Sequence, residues 1–531
     1  MSECFFPRRL TELWLYDATS KATTLYSDKD LSLYDFSLNE VGSFVWQHCD
    51  GSLSNIEIAQ KLYGELDGDK PNFIEFQTEI TEYLLELRNN ELVSWENKGK
   101  DVLFVVPPFP DLYSKTSINN PDYSSPPLGV AYIAAVLKEN NFDVGILDMH
   151  IQALNPEDII IHYRKNKPQI VALSATTPTF PNTVKIAKLL KAWDENIVIV
   201  IGGAHATCLP EECIAFDCFD YVVVGEGEFT MLELANSLIH NSITIANING
   251  LAYKKNNKIK INKPRKRLAN LDLLPYPARE LLNINSYYQK GAIVSSRGCP
   301  FRCNYCSCAV IAGHTYRVHS VDYVLNEIEY LINNYGFEYF DFHDDTFNFY
   351  PERVLEFCRK IKERQLNFHW ACFCRVTNFN NEIATAMKQA GCVAIQFGVE
   401  AGNQTVLNSI KKRITLAEIE NSVIAAKNAD INKISCGFII GHAEDTEETI
   451  NETINFGLKL ATLGATDLTV SVLTPLPGTE VYNNLGKNGI DLLTKDWEQF
   501  VFSRIVIETK NVSKERLRKL YVKGIQLFSK K

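Results

Sequence analysis

The stretch Ser295-Ser296-Arg297-Gly298-Cys299-Pro300-Phe301-Arg302-Cys303-Asn304-Tyr305-Cys306-Ser307-Cys308 decides how this chain is read. Cys299, Cys303 and Cys306 stand in a C-x-x-x-C-x-x-C spacing on one tight loop, so three thiolates can converge on one soft metal centre, zinc or iron–sulfur. A structural zinc needs a fourth ligand, for which Cys308 and His314 are the local candidates. A [4Fe–4S] cluster with three protein ligands leaves one iron open to a small molecule. The apolar run 292–294 reads as a short strand ending at Gly298, which puts the cysteines beyond a strand's carboxyl end, where α/β folds build active sites.

From residue 292 to about 480 strands and helices alternate in six units, with later strands at 337–342, 368–373, 393–399, 434–440 and 467–472. That pattern predicts a partial (β/α)6 barrel over residues 285–485. Polar residues follow the strands: His343-Asp344-Asp345-Thr346, Cys374-Arg375, Glu400, Gly441-His442, and a proline-rich turn at 475–479. Asp344 reads as a helix cap. Taken with the cysteine spacing, these residues resemble the radical S-adenosylmethionine (SAM) superfamily. The resemblance implies a [4Fe–4S] cluster on Cys299, Cys303 and Cys306, with SAM on the open iron. By the family's D-D-x-F and G-x-E-S-G motifs, it puts Asp345 and Glu400 at the SAM ammonium or ribose and Arg375 at its carboxylate, with Tyr305 and Gly441 as further contacts. Two departures stand out: Ala401 replaces the usual Ser, and Gly441-His442-Ala443-Glu444 replaces a Gly-Leu-Pro-Gly run.

Residues 99–245 alternate strand and helix as a doubly wound, Rossmann-like sheet, with strands at 102–106, 144–147, 170–174, 197–201 and 221–224. No G-x-G-x-x-G follows the first strand and no P-loop is present, so neither nicotinamide nor ATP binding is favoured. Pro107-Pro108, Pro127-Leu128-Gly129-Val130-Ala131-Tyr132, Gly202-Gly203-Ala204-His205 and Gly225-Glu226-Gly227-Glu228 together resemble the cobalamin-binding domain that precedes many radical SAM domains. The resemblance implies cobalamin contacts at Pro108, Gly129, Ser174, Thr176, Gly202, Gly203, His205, Gly225, Glu226 and Glu228. Asp148-Met149-His150 begins like the D-x-H-x-x-G motif that supplies a cobalt ligand, but it follows the second strand and its sixth residue is Ala153. His150 and His205 therefore read as polar loop residues, and no histidine is expected on the lower cobalt face. The basic run 254–267 reads as a solvated hairpin within a linker at 246–284.

Residues 1–98 hold eight Lys/Arg against eighteen Asp/Glu, a balance of −10 that equals the whole chain's net charge. Strand-like runs at 13–16, 23–26 and 31–36 precede three helical patterns, at 38–46, at 56–63 with Ser52 or Ser54 as cap, and after Pro71 from Phe73 to Leu87; Cys49-Asp50-Gly51 supplies a stop. Strands plus three helices spell a winged-helix-like α+β domain. An acidic module repels phosphate, so DNA binding is disfavoured. Leu38-Asn39-Glu40, Cys49-Asp50-Gly51 and the Ile56 to Ala59 helix instead resemble the PqqD-like precursor-peptide recognition domain. By that resemblance a leader peptide adds to the edge strand 31–36, with the 73–87 helix as the other wall.

The expected architecture is an α/β multidomain chain ending in a small α-rich region, 486–531, whose helix at 515–528 closes the barrel or lines the substrate path. No signal peptide or long apolar span is visible, and the 14 cysteines form no pairing framework, which fits a reducing cytoplasm. The expected function is cobalamin-dependent C-methylation of an unactivated carbon in a ribosomally made precursor peptide, by way of methylcobalamin and a 5′-deoxyadenosyl radical. A reductase or flavodoxin-type electron donor serves it, and no nucleic acid or membrane partner is expected. Alternatives are a peptide cyclase or cross-linking oxidase without methyl transfer, and a radical SAM methyltransferase of a small metabolite. A non-catalytic peptide-binding scaffold is opposed by the cysteine motif.

Overall fold

Short β-branched runs alternating with amphipathic helices build two parallel sheets, preceded by a smaller antiparallel one. The computed structural model describes residues 7–9, 14–17, 22–26, 33–49, 55–66, 70–90, 92–95, 99–110 and 124–530. They fall into two compact units, residues 1–100 with 163–167, and residues 101–162 with 168–531.

In the first unit, strands Trp14–Asp17, Ala22–Tyr26 and Leu33–Leu38 form an antiparallel sheet in that order. Helices Glu40–Gln47, Asn55–Glu65 and Phe73–Asn89 follow. Asn39 and Asn72 start the first and third helices by accepting backbone N–H bonds from Gly42 and Ile74. The apolar stripes meet in a core of Leu25, Val45, Trp46, Ile58 and Leu84, all fully buried. The third strand lies two residues beyond its expected start. Leu13, Leu31, Asp50, Gly51, Ser52 and Ser54, which the sequence reading used, lie outside the described residues. A further pair, Pro7–Arg9 with Val93–Trp95, joins the two ends of this unit.

The second unit begins with a seven-stranded sheet. Val144–Asp148, Val102–Val106, Ile170–Ser174, Val198–Gly202 and Tyr221–Val223 run parallel in that order, with the crossover at the first strand. Ligands bind outside the carboxyl ends of such a sheet, at its switch point. Leu251–Lys255 then pairs antiparallel with Tyr221–Val223, and Lys258–Ile261 pairs with Leu251–Lys255. The basic run is thus a hairpin that widens the sheet past residue 245.

Six parallel strands follow in sequential order: Ala292–Ile293, Tyr339–Phe342, His369–Cys374, Cys392–Glu400, Lys433–Ile440 and Asp467–Val472. Helices Val321–Tyr335, Pro351–Glu363, Asn381–Gln389, Leu416–Asn428 and Glu447–Leu463 connect them and cover the outer face, burying Phe340, Trp370, Phe397 and Phe438. This is the expected partial barrel. The C-terminal region is not purely helical: Ile490–Leu492 and Ile507–Thr509 form a hairpin before helix Lys514–Phe528, whose Phe528 ring packs 5.5 Å from Phe438. Among the described residues no helix is long and apolar enough to cross a membrane.

Candidate active site

The cysteine loop is held by a small frame that its sequence did not announce. Ser296–Arg297 pairs antiparallel with Arg317–Val318, so the intervening loop leaves and returns through one hairpin. Asp344 fastens the near side: its carboxylate accepts from the Ser295 N–H at 2.7 Å, the Ser295 hydroxyl and the Ser296 N–H at 3.0 Å. Asp344 is therefore no helix cap. It is a buried clamp that orients the strand feeding the cysteines.

Cys299, Cys303, Cys306 and Cys308 all border a barrel-mouth cavity of about 620 Å³. The Cys308 thiol donates to the Cys299 sulfur, which holds the Cys299 pKa down to about 6 and favours a thiolate there. Asp345 stands against Cys308 and the Gly298 backbone, with burial pushing its pKa up. Arg375 is clamped at its backbone by Asn348, which accepts from the Arg375 N–H at 2.9 Å and donates to its carbonyl at 2.8 Å. Its guanidinium lies 3.7 Å above the Phe301 ring, Nε donates to Thr377, and the buried Nη2 has no partner among the described residues. Glu400 sits at a bulge with φ +71°, a strained conformation for a side-chain-bearing residue. Lys412 donates to its Oε1 at 2.7 Å, and the Tyr305 hydroxyl bonds the same carboxylate. Burial, then the Glu400 charge, drives the Tyr305 pKa well above its ordinary value.

Gly441 lies apart from this cavity. Its N–H and that of His442 donate to Asp445 Oδ2, both at 2.9 Å, and its α-carbon faces Leu517 of the C-terminal helix. The unusual Gly441-His442-Ala443-Glu444 turn is thus closed by Asp445 from within, and His442 packs against Tyr305 at 5.6 Å.

A second cavity, about 280 Å³, opens at the carboxyl ends of the seven-stranded sheet. Gly129, Ser174, Gly202, Gly203, Gly225, Glu226 and Glu228 border it. Gly203 has φ +97°, and a Cβ there would stand 2.6 Å from the Ala175 carbonyl oxygen, so only glycine fits this turn. Three residues expected to touch the same ligand lie off its walls. The Pro108 carbonyl accepts from Asn182 at 3.0 Å, and Thr176 bonds Thr179 at the start of a helix. His205 is fully buried, stacked on Phe180 at 4.1 Å and edge-on to Trp497 at 5.2 Å; burial lowers its pKa to about 4. Asp148 accepts from the His150 and Ile151 N–H groups and from the Tyr287 hydroxyl, so that turn is a structural tie to the segment that leads into the first barrel strand.

Glu226 and Glu228 border the cavity, but their carboxylates are engaged elsewhere. Arg317 donates to both oxygens of Glu226 at 3.0 and 2.6 Å, and Arg297 pairs with Glu228 at 2.7 Å. Burial alone would raise the Glu226 pKa; the Arg317 hydrogen bond and the Arg297 and Arg317 charges hold it below the usual value. Both arginines belong to the frame of the cysteine loop. Arg297, Ile311 and Ala312 border the glycine-walled cavity, while the four cysteines between them border the barrel cavity. One loop separates the two chambers.

Two family models match: "B12 binding domain" over residues 115–235 and "Radical SAM superfamily" over residues 293–457. An uncharacterized methyltransferase of Pyrococcus horikoshii is 34% identical over 439 residues, 81% of this chain and 93% of that one. The chain belongs to the cobalamin-dependent radical SAM methyltransferases. It is also similar to the anaerobic magnesium-protoporphyrin IX monomethyl ester cyclase of Rubrivivax gelatinosus, at 27% identity over 68% of this chain and 66% of that one. The cytidylyl-2-hydroxyethylphosphonate methyltransferase of Streptomyces wedmorensis is 26% identical over 59% and 68%. In fold, the chain matches the radical SAM methyltransferase TsrM of Kitasatospora setae, with a TM-score of 0.65, 17% identity and coverage of 80% and 88%.

The enzyme's cofactors are accordingly a [4Fe–4S] cluster, SAM and cobalamin, and its residues fit them. Among the described residues no three His, Cys, Asp or Glu side chains are placed to hold a single metal ion, and His314, the other zinc candidate, is exposed. Cysteines spread around one chamber suit a cluster, in which each thiolate takes a different iron. The unpartnered Nη2 of Arg375 suits the SAM carboxylate. Glycines along the second chamber let a large ligand approach the sheet's backbone. Lys412 and Asn348 escaped the sequence reading because nothing local marks a lysine twelve residues past Glu400 as its partner, or an asparagine twenty-seven residues before Arg375 as the clamp of that residue's backbone.

Proposed function

We propose that the enzyme C-methylates a small molecule held in the barrel mouth. The carrying observation is the single loop that borders both chambers, with Cys299, Cys303 and Cys306 on one side and Arg297, Ile311 and Ala312 on the other. Bound there, the cluster and SAM supply the radical that activates an acceptor carbon, and cobalamin supplies the methyl group. The chain's own residues then have defined tasks. Arg375 holds the SAM carboxylate, Glu400 and Asp345 face its ammonium and ribose, and the Glu400–Lys412–Tyr305 set keeps that end of the chamber rigid. The ion pairs of Arg297 and Arg317 with Glu228 and Glu226 keep the two chambers in register.

A small acceptor is supported by the relative that is named for methylating cytidylyl-2-hydroxyethylphosphonate. A precursor peptide is the second reading. It is favoured by the N-terminal unit, where among the described residues Leu33–Leu38 is an edge strand of a three-stranded antiparallel sheet, in the same unit as helix Phe73–Asn89. An edge strand is what β-augmentation by a leader uses. The test is anaerobic reconstitution with iron, sulfide and cobalamin, followed by SAM, reductant and candidate acceptors, with products weighed. A gain of CH2 with both S-adenosylhomocysteine and 5′-deoxyadenosine supports the reading. Loss of two hydrogens with deoxyadenosine alone replaces it with cyclisation or cross-linking.

A further inference from the structure

The barrel's inner wall describes its substrate. Phe373, Gln396 and Thr469 lie on the third, fourth and sixth strands, inside a sheet whose outer face is covered by helices, yet each is exposed, Phe373 to 44%. In a parallel sheet so covered, such residues point into the lumen. Phe373 and Gln396 are cross-strand partners, as are Gly437 and Thr469. The point where a Cβ on Gly437 would stand is 3.6 Å from Thr469 Oγ1 and 3.9 Å from Gln396 Nε2, so an amide and a hydroxyl flank one open spot. Ser471 adds a second hydroxyl to the same cavity, and Phe502, 59% exposed, adds a second ring. The side chains of Gln396, Thr469 and Ser471 make no hydrogen bond within the protein among the described residues.

Charge is distributed the opposite way. Asp344 is bound by Ser295 and Ser296, Glu400 is paired with Lys412, and Asp345 stands against Cys308 at the cluster end. Arg375 is the cation with an unpartnered N–H, and it lies over Phe301 beside the cysteines. Lys412, the other arginine or lysine lining the cavity among the described residues, is paired with Glu400, so once Arg375 holds SAM no unpaired arginine or lysine remains there to receive an anion. A carboxylate or phosphate driven into this space would lose its hydration without a counter-charge.

We propose that the acceptor enters as a flat ring carrying an uncharged hydrogen-bonding edge, an amide, lactam or hydroxyl, which Gln396, Thr469 and Ser471 read while the ring lies against Phe373 and Phe502. Gln396 is then a specificity-determining residue. The inference rests on the methyltransferase reading only in taking this cavity as the acceptor's.

The test uses the full chain with cluster, cobalamin and saturating SAM, held anaerobically. Saturation-transfer NMR compares 2-naphthamide with 2-naphthoate, which share a ring and differ in the charge of the edge. The amide should bind with a Kd about tenfold or more below that of the carboxylate. Gln396→Leu should raise the amide Kd about fivefold or more while the SAM Kd stays unchanged. Thr469→Val gives the same readout if the first variant disturbs SAM binding. Equal affinities, carboxylate preference, binding of neither ligand, or amide affinity indifferent to both substitutions would overturn the inference. Reductant is then added to the same samples and S-adenosylhomocysteine is measured. Its formation alongside carboxylate preference defeats the neutral edge and leaves the methyltransferase reading; amide preference without it does the reverse.

Discussion

A methyl group on Gly398 would stand 2.6 Å from Glu400 Oε1 and 3.0 Å from Lys412 Nζ, so the glycine exists to let that ion pair lie flat against the strand. Gly398→Ala should cost about 1 to 3 kcal/mol of stability, seen in denaturant unfolding, and should weaken SAM binding measured by calorimetry. At the cluster, we propose Cys299, Cys303 and Cys306 as the ligands, with Cys308 a hydrogen-bonding neighbour of Cys299. Cys308→Ala should keep its iron and its reduced-cluster electron paramagnetic resonance signal, whereas alanine at any of the other three should lose both. Asp341, lower on the second strand, has its pKa raised to about 6 by burial. Between about pH 4 and 6 the folded state then holds a proton that the unfolded chain has released, so this residue makes stability fall as pH rises. Asp341→Asn should flatten that part of the stability profile and leave the protein more stable at neutral pH than the parent. That the cysteines, Asp345, Arg375 and Glu400 share one cavity could be expected from the sequence because each follows a strand at a short, motif-like spacing. Lys412, Asn348 and Asp341 could not be picked out in the same way, since their importance comes from what folding brings beside them.

Among the elements, the strands of both parallel sheets could be placed within a residue or two because buried strands read as apolar runs bounded by turn residues. The two-residue hairpin of Ser296–Arg297 with Arg317–Val318 could not, because its partners are about twenty residues apart and three of its four residues are polar. The same cause hid the role of Gly225-Glu226-Gly227-Glu228. Sequence likeness put these acids at a cofactor; the structure shows them fastening the cysteine-loop hairpin through Arg317 and Arg297. Breaking a partly buried pair leaves an uncompensated charge, and here Arg317 is only 5% exposed. Glu226→Ala should therefore destabilise the protein by about 3 to 5 kcal/mol. Hydrogen exchange should rise first in residues 298–318, ahead of the barrel helices. A Glu226→Ala protein with parental exchange across that loop would show the pairs to be dispensable.

For the whole molecule, the open choice is between an acceptor that comes alone and one delivered by a leader, and the acidic N-terminal unit is where the two part. Residues 1–98 hold all of the chain's net charge, and their helices and strands bury a separate core around Trp46 and Leu84. A segment with its own core can be removed without opening the core of the barrel, so its deletion tests function with little structural confusion. If a small molecule with a neutral edge is the acceptor, a chain starting at residue 99 should bind cobalamin, assemble its cluster and turn over that acceptor with kcat/KM close to that of the full chain. If a leader peptide docks on the Leu33–Leu38 edge, the same truncation should raise KM for the full precursor steeply while leaving the slow methylation of its leaderless core unchanged, because what is lost is effective concentration and not chemistry. Measuring both acceptors with both proteins separates the cases, since the leader reading requires the ratio of full precursor to core to collapse on truncation and the small-acceptor reading requires that nothing change.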